Sequence, residues 1–491
     1  MDAKQAMRLA ALTTTIAMLA ACGGGGSSSP APSPSPSPSP SPAPAIDRIE
    51  PYDTSAAKAA QADTAPAAKA LAPSAAQVQL GALQGGSLAK AAAVGGAQQI
   101  GVARAVPDLA TTAATAKRLA WTKAGNGTQV AAISVTSGGA RGLRLGVLVR
   151  ALPEGAVLRF YAQGGADVIE ASADQVNAAI ARNLQAGEDD LEAHTYWSPD
   201  FGGANTTLEV QIPASAAPGS VQIAIPRVSH YLVSPSEASA GITKATGVGA
   251  SGSCEVDVNC TAGYQDQSRS VARMTFVKSG GTFLCTGTLL NDRASDGKPY
   301  FLSANHCIST QASASSLQTD WFYRSSACGS SSISTAYTRR TGGAQLLYAT
   351  ASTDTSFMLL NDAPPAGVVY AGSYFGTPVA TGTQVADVHQ PEGDLQKLSL
   401  GIVQGYSICT TTAGCLGSDA GSGTFLSVGW QQGATELGSS GSGAYTTIGS
   451  TRYVVGQLYG GLSKCSNPAA LDYFGRFDTA YNAALKQWLN P

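Results

Sequence analysis

The sequence predicts an all-β protein: two β-rich segments, the second rich in cysteine, behind a disordered N-terminal spacer. Three observations carry this expectation. Between residues 106 and 235, short runs of alternating apolar and polar residues are separated by Gly/Pro turns, the pattern of half-buried strands. From about residue 246 onward, further apolar and aromatic runs accompany all but one of the 9 cysteines. Ahead of both, residues 23–105 offer a Ser-Pro repeat that cannot build a core and an Ala-rich, weakly patterned stretch, both read as spacer.

Composition limits what the protein can be. With 491 residues the chain has room for roughly two to four domains, each able to bury a core. Its formal net charge is −2 and Lys and Arg form no stripe, so the electrostatic footprint of a nucleic-acid partner is missing. Glycine is so common, at 56 residues, that one Gly-Ser cluster carries little weight alone.

Residues 1–22 form an export address. Lys4 and Arg8 precede an apolar stretch, Leu9 to Ala21, that is short for a bilayer span and ends in Leu-Ala-Ala-Cys at 19–22. That ending resembles the bacterial lipoprotein processing box, which implies lipidation of Cys22. Because Gly23 follows rather than aspartate, an outer-membrane or cell-surface location is expected. Ordinary signal cleavage nearby is the alternative. The Ser-Pro repeat from Ser33 to Pro42 favours an extended, solvated tether.

Residues 106–244 read as a β-sandwich. Strands are expected over Val130–Val135, Leu143–Val149, Val157–Tyr161, Thr207–Ile212 and Val221–Ile225, with one helix over Ala173–Gln185. His194 and His230 have no acidic or cysteine partner at recognisable spacing and are expected to be structural.

Residues 245–491 concentrate the chemistry. Cys254, Cys260, Cys285, Cys307, Cys328, Cys409, Cys415 and Cys465 are an even set in an exported chain, which points to four disulfides whose pairing spacing alone leaves open among about 105 connectivities. Zinc is the weaker alternative, since no Cys-x2-Cys pair and no His pair stand at ligand spacing. In Tyr300-Phe-Leu-Ser-Ala-Asn-His-Cys307 an apolar strand end delivers a histidine beside a cysteine. Asp354 precedes the buried run Ser356 to Leu360, as a strand-start aspartate or as a functional carboxylate. Glu436-Leu-Gly-Ser-Ser-Gly-Ser-Gly-Ala-Tyr445 is either a linker or a loop presenting a nucleophile. A serine hydroxyl is a poor nucleophile at neutral pH; it needs an imidazole to take its proton and a carboxylate to fix the imidazole tautomer.

Taken together, Cys285-x-Gly-Thr-Leu-Leu, Leu302-Ser-Ala-Asn-His-Cys307, Asp354 before Phe-Met-Leu-Leu, and Gly438-Ser-Ser-Gly-Ser442 follow the His, Asp, Ser order of chymotrypsin-like serine proteases. Within that superfamily the segment from Ser251 to Pro491, about half the chain, resembles the bacterial lysyl endopeptidases. The resemblance implies a double β-barrel protease domain with His306 as general base, Asp354 orienting it and Ser440 as nucleophile. The backbone N–H groups of Gly438 and Ser440 then form the oxyanion hole. It also implies the disulfides Cys254–Cys465, Cys260–Cys328 and Cys285–Cys307, the last pinning the loop of His306, and leaves Cys409 and Cys415 to pair with each other.

Departures from the superfamily pattern bear on activation and specificity. Ser439 replaces the aspartate that usually precedes the nucleophile, so activation by burying a new terminal amine against it is not expected. Gly443 stands where proline commonly ends the motif, and Ser303 and Asn305 where Thr and Ala are usual. Ala434 occupies the place of the trypsin specificity carboxylate; the resemblance puts that role on Asp472, with Tyr459, Gly460 and Gly461 lining the pocket. The alternatives for Asp472 are a pair with Arg476 or a place at the start of a strand. Best-known relatives carry histidine where this chain has Tyr459.

The expected activity is hydrolysis of protein or peptide substrates after Lys, with Arg the second basic candidate, by a monomer needing no metal or cofactor. Residues 106–244 are then a propeptide covering the cleft, released by self-cleavage after Lys244. A non-catalytic binding lipoprotein, or a protease specific for Glu or small residues, are the rival readings.

Overall fold

In a computed structural model the protein is described over residues 46–55, 69–84, 96–125, 127–234, 248–410 and 414–491. Cys22, the Ser-Pro repeat and Lys244 lie outside these residues.

The first β-rich segment is a two-sheet sandwich. One sheet orders Val168–Ser172, Val157–Tyr161, Asn205–Ile212, Gln129–Ser137 and Ala76–Leu80, with Thr122–Lys123 also on Gln129–Ser137; the other orders Thr195–Trp197, Leu143–Ala151, Gln222–Tyr231 and Gly101–Ala105. Alternate residues of both sheets meet in one core that includes Ile133, Leu145, Leu158, Phe160, Val210 and Val228. The expected helix spans Ala173–Gln185, started by a capping box between Ser172 and Gln175 and packing Val176 and Ile180 inward.

Two further sheets form the second segment. Thr338–Arg340, Gln318–Trp321, Val271–Lys278, Gly281–Leu290, Tyr300–Ala304, Thr355–Leu360 and Ala344–Thr350 are hydrogen-bonded in that order. Gln311 lies beside the last of these strands: its amide donates to Ala344 O at 2.9 Å and accepts from Leu346 N–H at 2.8 Å. In the other sheet, Thr451–Gly461, Gly443–Ile448, Gln384–His389, Lys397–Thr410, Phe425–Gln432 and Leu471–Arg476 close on themselves, because the last strand pairs with the first. This is the expected double-barrel architecture. All four expected disulfides are present: Cys254–Cys465, Cys260–Cys328, Cys285–Cys307 and Cys409–Cys415.

The expected spacer is corrected in part. Arg48–Ile49 pairs with Ser373 and Tyr374, and Tyr52–Asp53 with Val369 and Tyr370. Ile49 is buried with Tyr300, Phe357 and Phe375, and Asp53 accepts two hydrogen bonds from Arg269, at 3.0 and 2.7 Å. Ala76–Leu80 joins the sandwich as a parallel strand, while Gln98–Gln99 and Gly101–Ala105 join different sheets. Arg48–Ile49, Tyr52–Asp53 and Gln98–Gln99 carry too few positions for a period of two to show, and the edges that receive them decide their place; Ala-Gln-Val-Gln-Leu at 76–80 does alternate, within Ala-rich surroundings that mask it.

Candidate active site

His306 and Asp354 meet because their strands do. Tyr300–Ala304 and Thr355–Leu360 pair with Ala304 opposite Thr355, so the residues just beyond Ala304 and just before Thr355 leave the sheet together. Asp354 takes a positive φ of 50°, and its carbonyl accepts from Asn305 N–H at 2.8 Å. Its carboxylate then holds the histidine twice: Oδ1 accepts from the His306 backbone at 2.9 Å and Oδ2 from Nδ1 at 2.7 Å. With the Nδ1 proton facing the carboxylate, Nε2 is left with its lone pair.

Ser440 comes from the closed barrel and is held against the open one. Thr286 N–H donates to Ser440 O at 2.8 Å and Thr286 Oγ1 to Gly438 O at 2.9 Å, while Gly441 N–H donates to Leu458 O at 2.8 Å. Gly438 and Gly441 have φ of 91° and 85°, and a Cβ on Gly441 would collide with Ser303 Oγ. The N–H groups of Gly438 and Ser440 meet no backbone or side-chain acceptor among the described residues. Cys307 Sγ lies 3.6 Å from His306 Nε2 and 3.9 Å from Ser440 O, so the Cys285–Cys307 disulfide sits between the two loops. Ser440 Oγ and Nε2 are not hydrogen-bonded in this structure, a contact that commonly tightens only around substrate.

Asp472 is fully buried on the strand Leu471–Arg476. Its Oδ2 accepts from Trp430 Nε1 and Thr435 Oγ1, both at 2.6 Å, and from Ser463 Oγ; Oδ1 accepts from Ser463 N–H at 3.2 Å. Every donor is neutral. Burial raises its pKa despite these hydrogen bonds. The alternative pair with Arg476 does not form: that guanidinium binds Asp478 and the carbonyls of Ala420 and Gly423. Gly461 borders Asp472 so closely that a Cβ would collide with its Oδ1. The rings of Tyr459 and His306 stand nearly perpendicular, at 81°, with centroids 6.0 Å apart.

Comparison with known proteins decides the family. Models of the lysyl endopeptidase N-terminal and C-terminal domains match residues 70–232 and 248–475. The lysyl endopeptidase of Pseudomonas aeruginosa is 35% identical over 399 residues, covering 78% of this chain and 79% of that one. The chain belongs to the lysyl endopeptidase family. It is therefore a serine endopeptidase, acting on protein or peptide substrates. A shorter match, 34% identical over 113 residues, covers 21% of this chain and 26% of the secreted RxLR effector protein 73 of Plasmopara viticola. Among solved structures, the MamO protease domain of Magnetospirillum magneticum aligns over 45% of this chain and 98% of its own, with 11% identity and a TM-score of 0.31. The HtrA-type protease AlgW with tripeptide aligns over 45% of this chain and 61% of its own, at 15% identity and a TM-score of 0.31. The N-terminal lysyl endopeptidase model begins at residue 70, in keeping with the strands found ahead of residue 106.

Behind the serine loop, this member of the family carries buried polar groups that no sequence motif announces. His389 Nδ1 lies 2.7 Å from Ser439 Oγ and Nε2 3.1 Å from Ser399 Oγ. Burial pushes its pKa down to about 3, so the ring is neutral. Glu255 Oε2 is 3.7 Å from Nε2, yet burial, with Glu436 and Asp387 nearby, pushes Glu255 up to about 9. Two groups neutral at pH 7 do not form an ion pair, whatever their separation. Ser442 Oγ donates to the buried Asp387 at 2.9 Å. Gly443 also finds its reason here, since a Cβ would lie 2.9 Å from Thr288 Oγ1.

The remaining candidates are structural in their contacts. His230 Nδ1 is 2.7 Å from Ser137 Oγ inside the sandwich, and His194 sits beside Asp190 and Arg150 on its surface. Among the described residues, the two groupings with atoms close enough for a metal, Cys285/His306/Cys307 and Cys254/Glu255/Cys465, contain cystine sulfurs, which offer no thiolate.

Proposed function

We propose that the protein hydrolyses peptide bonds after lysine by an acyl-enzyme mechanism. Ser440 Oγ attacks the scissile carbonyl as His306 Nε2 takes its proton, and Asp354 stabilises the imidazolium that forms. The N–H groups of Gly438 and Ser440 face the developing oxyanion. His306 then returns the proton to the leaving amine, and water repeats the sequence to release the acid.

The observation that carries the lysine preference is Asp472. It is buried, receives neutral donors only, and borders Gly461 at the end of the strand that carries Tyr459 and Gly460. An ammonium brought there supplies the charge partner the carboxylate lacks, whereas a neutral side chain leaves the cost of burial in place. Arginine, larger and planar, is the second candidate. The proposal extends to a lipid anchor on Cys22, an outer-membrane or cell-surface location, action as a monomer, and self-release of the pro-segment after Lys244.

A peptide panel varied only at the residue before the scissile bond tests this, using wild type, Ser440→Ala and Asp472→Ala. Cleavage confined to basic peptides, abolished by the first substitution and stripped of basic preference by the second, is expected. Cleavage after Glu or small residues would overturn the specificity.

A further inference from the structure

A stretch expected to be spacer adds a strand to the protease domain beside the candidate site. Gln98 and Gln99 pair antiparallel with Leu284 and Phe283, and Ile100 N–H donates to Thr282 O at 2.8 Å. The next residue along that edge is Cys285, whose disulfide partner Cys307 adjoins His306. Following the added strand toward its own N-terminus therefore leads to the histidine. Extending the same register two steps would bring Gly96 level with Thr286, the residue whose N–H holds Ser440 O.

The strand is held along its length. Ile100 is fully buried with Leu284 and Tyr231. Gln98 Nε2 donates to Glu392 Oε2 at 2.6 Å, and Gln98 Oε1 lies 2.8 Å from where a Cβ would stand on Gly438, in the expected oxyanion loop. The sandwich holds the protease domain here from outside: Ser229 Oγ is 2.7 Å from Thr282 Oγ1 on the same edge, and Arg144 Nη2 donates to Ser316 O, beside the neighbouring strand, at 2.8 Å.

Polarity gives this contact its meaning. In a bound peptide the leaving-group half begins at the scissile bond and runs away from the nucleophile, and residues 96–101 run in that sense. We propose that they occupy the leaving-group side of the cleft as a substrate-like strand that keeps the protease latent, uncut because glycine, not lysine, arrives at the nucleophile. This rests on the serine-protease reading above. Main-chain pairing and Ile100 give the strand its affinity. Gly96 places nothing against Asp472, so the pocket's binding energy is never spent on reaching the transition state.

Converting the strand into a substrate tests the idea. The full chain is prepared as wild type, Gly96→Lys, Gly96→Lys with Ser440→Ala, and Gln98→Pro. Termini are read by mass spectrometry, and activity is measured on a lysyl peptide extended past the scissile bond and on a lysine anilide with nothing beyond it. Gly96→Lys is expected to be cut between residues 96 and 97 only when Ser440 is present. Gln98→Pro removes the N–H that alternation of the ladder directs at Leu284 O. It is expected to raise hydrolysis of the extended peptide about tenfold, as when an occupant held at high effective concentration is released, with a smaller gain on the anilide. An intact 96–97 bond in a protein that cuts added lysyl peptides, or equal gains on both substrates, would overturn the latch and leave the protease reading standing. A cut that persists without Ser440 would also overturn it. If no preparation hydrolyses any lysyl substrate, the protease reading falls and the latch with it.

Discussion

Ser439 Oγ lies 2.7 Å from Nδ1 of His389, so the residue before the proposed nucleophile is tied to a fully buried, neutral imidazole. In place of the aspartate of digestive-type serine proteases, here hydroxyl and ring share a neutral hydrogen bond. Its strength owes nothing to the arrival of a new charged terminus.

Replacing His389 by leucine removes that anchor and leaves Ser399 and Ser439 with one partner fewer each. A stability loss of about 1–3 kcal/mol is expected in urea titrations. Turnover on a lysyl peptide should fall about tenfold with a smaller change in KM, because the loop that carries the proposed oxyanion donors loosens.

Asp472→Asn should lower kcat/KM for lysyl peptides by about 100-fold or more, the scale of a lost buried charge partner, with little loss of thermal stability. Burial holds this carboxyl above its ordinary range, so it takes up a proton at higher pH than a surface aspartate. Discrimination between lysine and its neutral isostere norleucine should hold above that raised pKa and fade as pH falls through it. Measuring the two rates from pH 8 downward checks this.

Glu255 supplies a linkage prediction. Its folded pKa is about 9 against an ordinary 4.5, so between these values the folded state holds a proton that the unfolded state has lost. Stability therefore declines as pH rises through that window, by at most about 1.4 kcal/mol per unit for this group. Glu255→Gln should flatten the slope and be the more stable protein at pH 8 by roughly 1–3 kcal/mol, as judged by denaturant midpoints.

Asp320 is buried between Arg273 and Arg339, accepting from Arg273 Nη2 and Arg339 Nε at 2.7 Å and from Tyr337 OH at 2.9 Å. Asp320→Asn strands two guanidinium charges and should cost about 3–5 kcal/mol in chemical denaturation. Because Arg273 also donates to Gly393 O at 2.9 Å, activity should suffer beyond the unfolded fraction, through the loop that carries Glu392.

Elements with local signals were legible in the sequence. The helix Ala173–Gln185 has its expected bounds because Ser172 and Gln175 cap its start, and Val157–Tyr161 has its expected bounds because a short apolar and aromatic run stands between turn residues. His306 and Asp354 come together as the ordered motifs implied. What escaped depends on distant partners. Arg48–Ile49 and Gln98–Gln99 are too brief for any periodicity, and their conformation is set by edges more than a hundred residues away. His389 stands in a strand where polar Asp387 and His389 alternate with apolar Val388, yet all are buried, so nothing in that pattern marks the ring that holds Ser439.

Residues 48–53 and 98–100 precede Lys244 in the chain but are built into sheets and cores beyond it. A cut anywhere in 235–247 would thus yield two polypeptides still interlocked, and a contact once enforced by covalent connection would become an encounter between separate molecules. Inhibition then obeys mass action: concentrated protein stays silent, and dilution itself switches it on.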